Sequence, residues 1–150
     1  NIIFTMPNAD VGNHIIIDMI NKFVMKNNFA TAYNSLGQLN FFSLLNQVDG
    51  IIGNSSSGIL EAPSFGIMSI NIGDRQTGRI KADSIIDCKP LREEISKSIN
   101  LIYSKKYQVI SKKVKNPYQN GDTSKKIFEK LANHPLTNLQ SKYFYDLPES

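Results

Sequence analysis

The chain has a single cysteine, Cys88. An internal disulfide is therefore impossible and a CxxC metal knuckle is excluded. A reducing compartment suits such a chain, and a cytoplasmic location is expected. Cys88 ends the run "SIIDC" and reads as a buried strand-end residue. Histidine is nearly as scarce. His14 and His134 lie far apart and form no metal-ligand spacing, so each reads as a cap or surface residue and no metal is expected. No apolar stretch approaches about 18 residues, so no membrane span is expected. Arginine-rich stripes interleaved with aromatics are also missing, which argues against nucleic acid as a partner. The net charge of +4 is mild. Its local excess, "SKKYQVISKKVK" at 104 to 115, reads as a solvated helix face rather than a phosphate-binding patch. There is no internal repeat and no low-complexity linker. The chain opens at Asn1 on an apolar run, without a basic n-region or a small-residue cleavage site, so no leader is expected. The missing initiator Met suggests a fragment or a renumbered chain.

What remains is ordinary in bulk. The 150 residues, 41% hydrophobic and 20% charged, fit one soluble globular domain, 1–150, long enough for a sizeable core. "NIIFTMP" reads as a buried strand closed by Pro7. Apolar residues from His14 to Lys26 follow helical spacing. "FATAYN" is a second strand. "NFFSLLNQ", 40 to 47, is a short helix with Asn40 as a possible cap. "VDGIIGN" holds a third strand, and 57 to 65 look helical. "IMSINIG" and "SIIDC" are the fourth and fifth strands. "LREEISKSINLIYS" continues helically after Pro90. Asp122 or Ser124 caps a last helix running to about Ala132. The tail from 134 has weak periodicity. Short apolar strands alternating with helices predict an α/β fold with a parallel sheet and helices on both faces.

In such sheets ligands bind beyond the carboxyl ends of the strands. "PNADVGN", "GNSSSG" and "GDRQTGR" all follow strand-like runs and should converge on one edge. "GNSSSG" is the most telling of the three. A strand that passes through small polar residues into a helix presents free N–H groups and the positive end of the helix dipole. Serine hydroxyls add donors, and an anion can approach closely. It is neither a Walker motif nor GxGxxG. The plain alternative is a serine capping a helix. With a helix beginning near Ser56, Glu61 is expected in its second turn, four residues after Ser57 and on the same face, where it either complements the dipole or accepts the two hydroxyls of a ribose. Arg75 and Arg79 lie between glycines, and their forks suit phosphate oxygens. Arg79 reads equally well as a surface ion-pair residue.

These residues resemble a family. "GNSSSGILEAPSFG" followed by "INIGDRQTGR" is similar to the hydrolysing UDP-N-acetylglucosamine 2-epimerases of the bacterial sialic-acid pathway type. "FTMPNADVGN" and "NPYQNGDTSKKI" match further segments of that family in order, with Gln119-Asn120 as a departure. The resemblance implies a three-layer Rossmann-like domain. It would be the C-terminal half of an enzyme with two such domains facing across a cleft, as in one large class of glycosyltransferases. It implies that Ser55 and Ser56, with Ser57, Gly58 and the backbone there, hold the UDP diphosphate. Glu61 would bind the ribose, Arg75 would support the nucleotide, and Asn8 would lie near the sugar or diphosphate. Uracil would sit by residues 36 to 41, where Phe41 or Phe42 either stacks on it or belongs to the core.

The family chemistry is elimination of UDP across C1–C2, then hydration of the glycal with inversion at C2. The acid–base carboxylates belong to the family's other domain, and its active-site histidine would fall before Asn1, so His14 does not inherit that role. No cofactor is called for. The partners implied are a UDP-sugar and UDP, with a homo-oligomer expected of the full-length enzyme. The sugar stays open between N-acetylglucosamine and the 2,4-diacetamido-6-deoxy analogue of legionaminic acid synthesis. Other readings are a non-catalytic nucleotide-sugar module and a glycosyltransferase domain.

Overall fold

Residues 1–119 and 121–135 are described by the computed structural model; Asn120 and the tail from 136 lie outside the described residues. The chain divides into two units, Asn1–Pro117 and a second from Tyr118 onward.

In the first unit the five apolar runs become five strands: β1 (Ile2–Thr5), β2 (Ala30–Tyr33), β3 (Gly50–Gly53), β4 (Met68–Ile72) and β5 (Ile85–Cys88). All their pairings are parallel, as strand–helix alternation requires. The strands form two hydrogen-bonded sheets, β1–β2 and β3–β4–β5. In the first, Ile2 lies opposite Ala30; in the second, Gly50 lies opposite Met68 and Ser69 opposite Ile85. β4 is paired on both edges, and Met68 to Asn71 are all buried.

Alternation along β4 sorts its side chains onto two faces. Met68 and Ile70 join Cys88 and Ile102 in the core, with Ile95, Ile99 and Tyr107 packed against it. Ile95, Ile99 and Ile102 are spaced as one face of α4 (Arg92–Ile102), so this side is covered by that helix. Ser69 points to the opposite side and meets Gly58 of α3 (Ser57–Leu60). The sheet is thus sandwiched between helices, as a Rossmann-like α/β domain requires. Cys88 is buried at the end of β5, as read from the sequence. α5 (Lys105–Lys113) presents its lysines to solvent, the bland reading of that segment.

α1 (Asn13–Lys26) runs where helical spacing places it, yet none of its residues is buried. α2 (Gly37–Leu45) starts earlier than Asn40, which therefore lies inside the helix rather than capping it. Ser35 takes that work: its Oγ accepts the Gly37 N–H at 3.3 Å. The helix expected over 57 to 65 is split into α3 and a 3-10 turn, Ala62–Phe65. Pro63 is the cause, since it has no N–H to give to the carbonyl four residues back. Asn116 compensates nearby, donating to the Leu60 carbonyl and to Ser64 Oγ, both at 2.7 Å. In the second unit α6 (Thr123–Ala132) ends as expected. Asp122 is at its N-cap, with positive φ and without a side-chain capping bond. Among the described residues no helix is long and apolar enough to cross a membrane.

Candidate functional site

The three polar loops meet in the first unit through two contacts. Arg75 Nη1 lies 3.7 Å from Asp10 Oδ2, which joins the loop after β4 to the loop after β1. Gln76 Nε2 donates to the Asn54 carbonyl at 2.9 Å, which joins the loop after β4 to the serine loop after β3. The strands are parallel, so these are all carboxyl-end loops, and they gather on one edge as the topology rule demands.

Ser56 occupies the N-cap of α3 but already has helical backbone angles, φ −61° and ψ −23°, and its hydroxyl makes no capping bond. Ser55 supplies the cap: its Oγ accepts the Ser57 N–H at 3.4 Å, and its carbonyl accepts the Gly58 N–H at 3.3 Å. Among the described residues the N–H groups of Ser55 and Ser56 have no partner. Ser55 is exposed, while Ser56 and Ser57 are half-buried. Two unpartnered N–H groups beside three hydroxyls are what an anion needs. The dipole adds less than expected, because α3 is four residues long.

Gly58 lies beneath this surface. A Cβ there would stand 2.5 Å from Ser69 Oγ, so its missing side chain lets the loop pack onto β4. Glu61 is not in a second helical turn. It closes the first, its N–H bonded to the Ser57 carbonyl at 3.1 Å. Its side chain is half-buried, and Oε2 is buried without a hydrogen-bond partner. A buried acceptor without a donor costs roughly 1–3 kcal/mol. Such an atom is satisfied when something brings a donor to it.

The chain enters the arginine loop through Gly73. Its φ of 78° suits glycine, and its N–H bonds the Cys88 carbonyl at 2.9 Å. Arg75 and Arg79 are both exposed. Asn8 is exposed, its carbonyl accepting from Asn13 Nδ2 at 3.0 Å; Asp10, rather than Asn8, is the residue in contact with Arg75. Phe42 packs on Phe65 of the 3-10 turn, ring centres 5.5 Å apart, which favours its core reading. His14 is exposed in the first turn of α1.

A cavity of about 510 Å³ opens at the carboxyl ends of β4 and β5, lined by Gly73, Thr77, Lys81, Asp87 and Cys88 among others, but not by the serines. Asp87 accepts from Lys81 Nζ through both carboxylate oxygens at 2.8 Å and from Asn71 Nδ2 at 2.6 Å. Partial burial acts to raise its pKa; the bonds from Lys81 and Asn71 and the Lys81 charge outweigh that and hold the carboxyl below its usual range.

Sequence reasoning missed Asp10, Gln76 and Asn116. Each acts on a residue distant in sequence, and only their membership in the polar motifs hinted at them.

Parallel strands covered by helices, with the polar loops gathered at their carboxyl ends, place this domain in the Rossmann-like α/β class. Residues 1–132 match the UDP-N-acetylglucosamine 2-epimerase family, and the chain belongs to it. It is 32% identical over 148 residues to the polysialic acid biosynthesis protein P7 of Escherichia coli, covering 98% of this chain and 38% of that protein. Over 88 residues it is 42% identical to the GDP/UDP-N,N'-diacetylbacillosamine 2-epimerase (hydrolyzing) of Campylobacter jejuni, covering 58% of this chain and 23% of that protein. With the UDP-N-acetylglucosamine 2-epimerase of Neisseria meningitidis it shares 32% identity over 155 aligned positions, 98% of this chain and 38% of that protein. The chain thus spans less than two fifths of the length of these relatives.

Proposed function

We propose that the first unit is the nucleotide-binding part of a cytoplasmic, hydrolysing UDP-sugar 2-epimerase. The observation that carries this is Glu61 Oε2, buried and unpaired one helical turn beyond the serine loop. A nucleoside diphosphate offers what the two features lack: phosphate oxygens for the Ser55 and Ser56 N–H groups, and ribose hydroxyls as donors for the carboxylate. Ser57 adds a hydroxyl beside them, Gly58 lets the loop sit low on β4, and Arg75, leaning on Asp10, adds positive charge. Asn8 lies in the loop that Asp10 shares. Uracil is assigned to the surface at 36 to 41.

In the complete reaction a base removes the C2 proton and the C1–O bond to UDP breaks. Water then adds across the glycal double bond, its oxygen to C1 and a proton to C2 on the face opposite the one that lost it, which inverts C2. Negative charge builds on the leaving diphosphate as that bond breaks. Donors fixed there stabilise the transition state more than the ground state. The carboxylates that move protons are assigned to a part of the enzyme beyond this chain, so the chain alone is expected to bind UDP and turn nothing over. N-acetylglucosamine, leading to N-acetylmannosamine for sialic acid synthesis, is the substrate we favour, with a homo-oligomeric complete enzyme. The Campylobacter relative's name supports the diacetamido sugar as the second reading.

Calorimetry of this chain with millimolar UDP tests the assignment. Saturable heat with UDP and no UDP release from UDP-N-acetylglucosamine is the expected result. Absence of binding would sink the site, and turnover would sink the division of labour.

A further inference from the structure

We infer that Gln76 is a positioning residue that aims the Ser55 N–H at the ligand's diphosphate, an inference that rests on the reading of the serine loop as the diphosphate site. Gln76 is 5% exposed, whereas Asp74, Arg75, Thr77, Gly78 and Arg79 around it are all exposed. One uncharged side chain in a solvated loop is therefore turned inward. Its Nε2 spans 22 positions of sequence to reach the Asn54 carbonyl at 2.9 Å.

That carbonyl belongs to the peptide unit whose other end is the Ser55 N–H. The unit is planar, and no described residue has a cis peptide bond, so the C=O and the N–H point in opposite directions. A buried amide holding the Asn54 oxygen inward turns the Ser55 N–H outward. That N–H has no partner among the described residues. The orientation of the amide follows as well: a carbonyl needs a donor, so nitrogen faces Asn54 and Oε1 is left over. Oε1 is buried and unpartnered, an arrangement with no stabilising value of its own. The buried amide therefore makes a single hydrogen bond, the one to the Asn54 carbonyl. The same bond fixes the loop that carries Arg75, so both charge-stabilising elements share one strut.

The test uses this chain with two probes, UDP and uridine, the second lacking the diphosphate. Gln76→Met keeps the volume and removes the donor. Gln76→Glu keeps the shape and sets a carboxylate against the Asn54 carbonyl. The expected result is a loss of UDP affinity of about tenfold for Gln76→Met, the size of one hydrogen bond that is well placed. Gln76→Glu should lose at least as much, and uridine affinity should be unchanged in both. The Ser55 amide proton resonance should shift on UDP addition in wild type and stay still in Gln76→Met. A packing role would instead lower the melting temperature and weaken both probes together, and that outcome overturns the inference. So does a Gln76→Met variant that binds UDP as wild type does. Should Gln76→Glu fail to fold, Gln76→Met and the Ser55 resonance decide the matter. A wild type that binds UDP no better than uridine is a different failure: it removes the diphosphate site itself.

Discussion

Two βα units of the same chain are built from similar runs of residues and end in different states. β1–α1–β2 and β3–α3–β4 both alternate an apolar strand with a helix. In the second, Met68 and Ile70 are 2% and 1% exposed. In the first, Ile2 and Ile3 are each 40% exposed, and Ile16 and Met19 of α1 more so. Local pattern made both units, but the number of neighbours decided their burial. β4 has a strand on each edge and a helix on each face, whereas among the described residues β1 pairs with β2 alone.

The contrast breaks most readily on stability. Ile70→Ala is expected to cost about 2–5 kcal/mol, the range for a fully buried aliphatic truncation. Ile3→Ala should cost less than about 1.5 kcal/mol, because much of its surface already meets water. Urea melts of the two variants check this, and equal losses would mean that β1 is packed as well as β4. Next in size is an effect on rate. In a complete enzyme carrying this domain, Ser55→Ala with Ser56→Ala removes two hydroxyl donors beside the N–H groups and should slow turnover on the order of a hundredfold, with a stability loss of only about 1 kcal/mol for the Ser55 cap. A lower melting point with unchanged turnover would return these serines to plain helix capping.

Hydrogen exchange sharpens the comparison without mutation. Amides of β4 should be the slowest in the first unit, and those of β1 and α1 should exchange earlier. The smallest effect concerns acid. The Asp87 pKa is lowered from 3.8 in the folded chain, so its bonds stabilise the fold above that value. This contribution fades as pH falls through the lowered pKa. Asp87→Asn should therefore be slightly less stable than wild type at neutral pH and converge with it in acid; a constant gap across pH would refute the link.

Much of the frame was legible in the residues. All five strands were, because buried parallel strands are written as short apolar runs. The break of the 57 to 65 helix at Pro63 is hidden by the helical spacing of the apolar residues on either side of it. Asn40 passed for a cap because Ser35 and Gly37 set the true start. At the site, the serines, Glu61 and Arg75 stood out through residue type and family resemblance. Gln76 and Asn116 did not. Their partners are carbonyls 22 and 56 positions away, and a hydrogen bond to a distant backbone atom leaves no mark on local pattern. The unpaired oxygen of Glu61 was equally invisible, since it depends on what surrounds the carboxylate rather than on its spacing.

Under the proposed function, this oxygen receives the ribose hydroxyls of the nucleotide. Calorimetry of wild type and Glu61→Ala with UDP and with its 2′,3′-dideoxy analogue tests it most directly. Loss of hydrogen bonds to a charged group should weaken UDP binding to the variant by about 1.5–3 kcal/mol. The analogue has no hydroxyls to offer, so both proteins should bind it alike. If Glu61→Ala loses the analogue as strongly as it loses UDP, the carboxylate supports the fold and the ribose assignment is wrong.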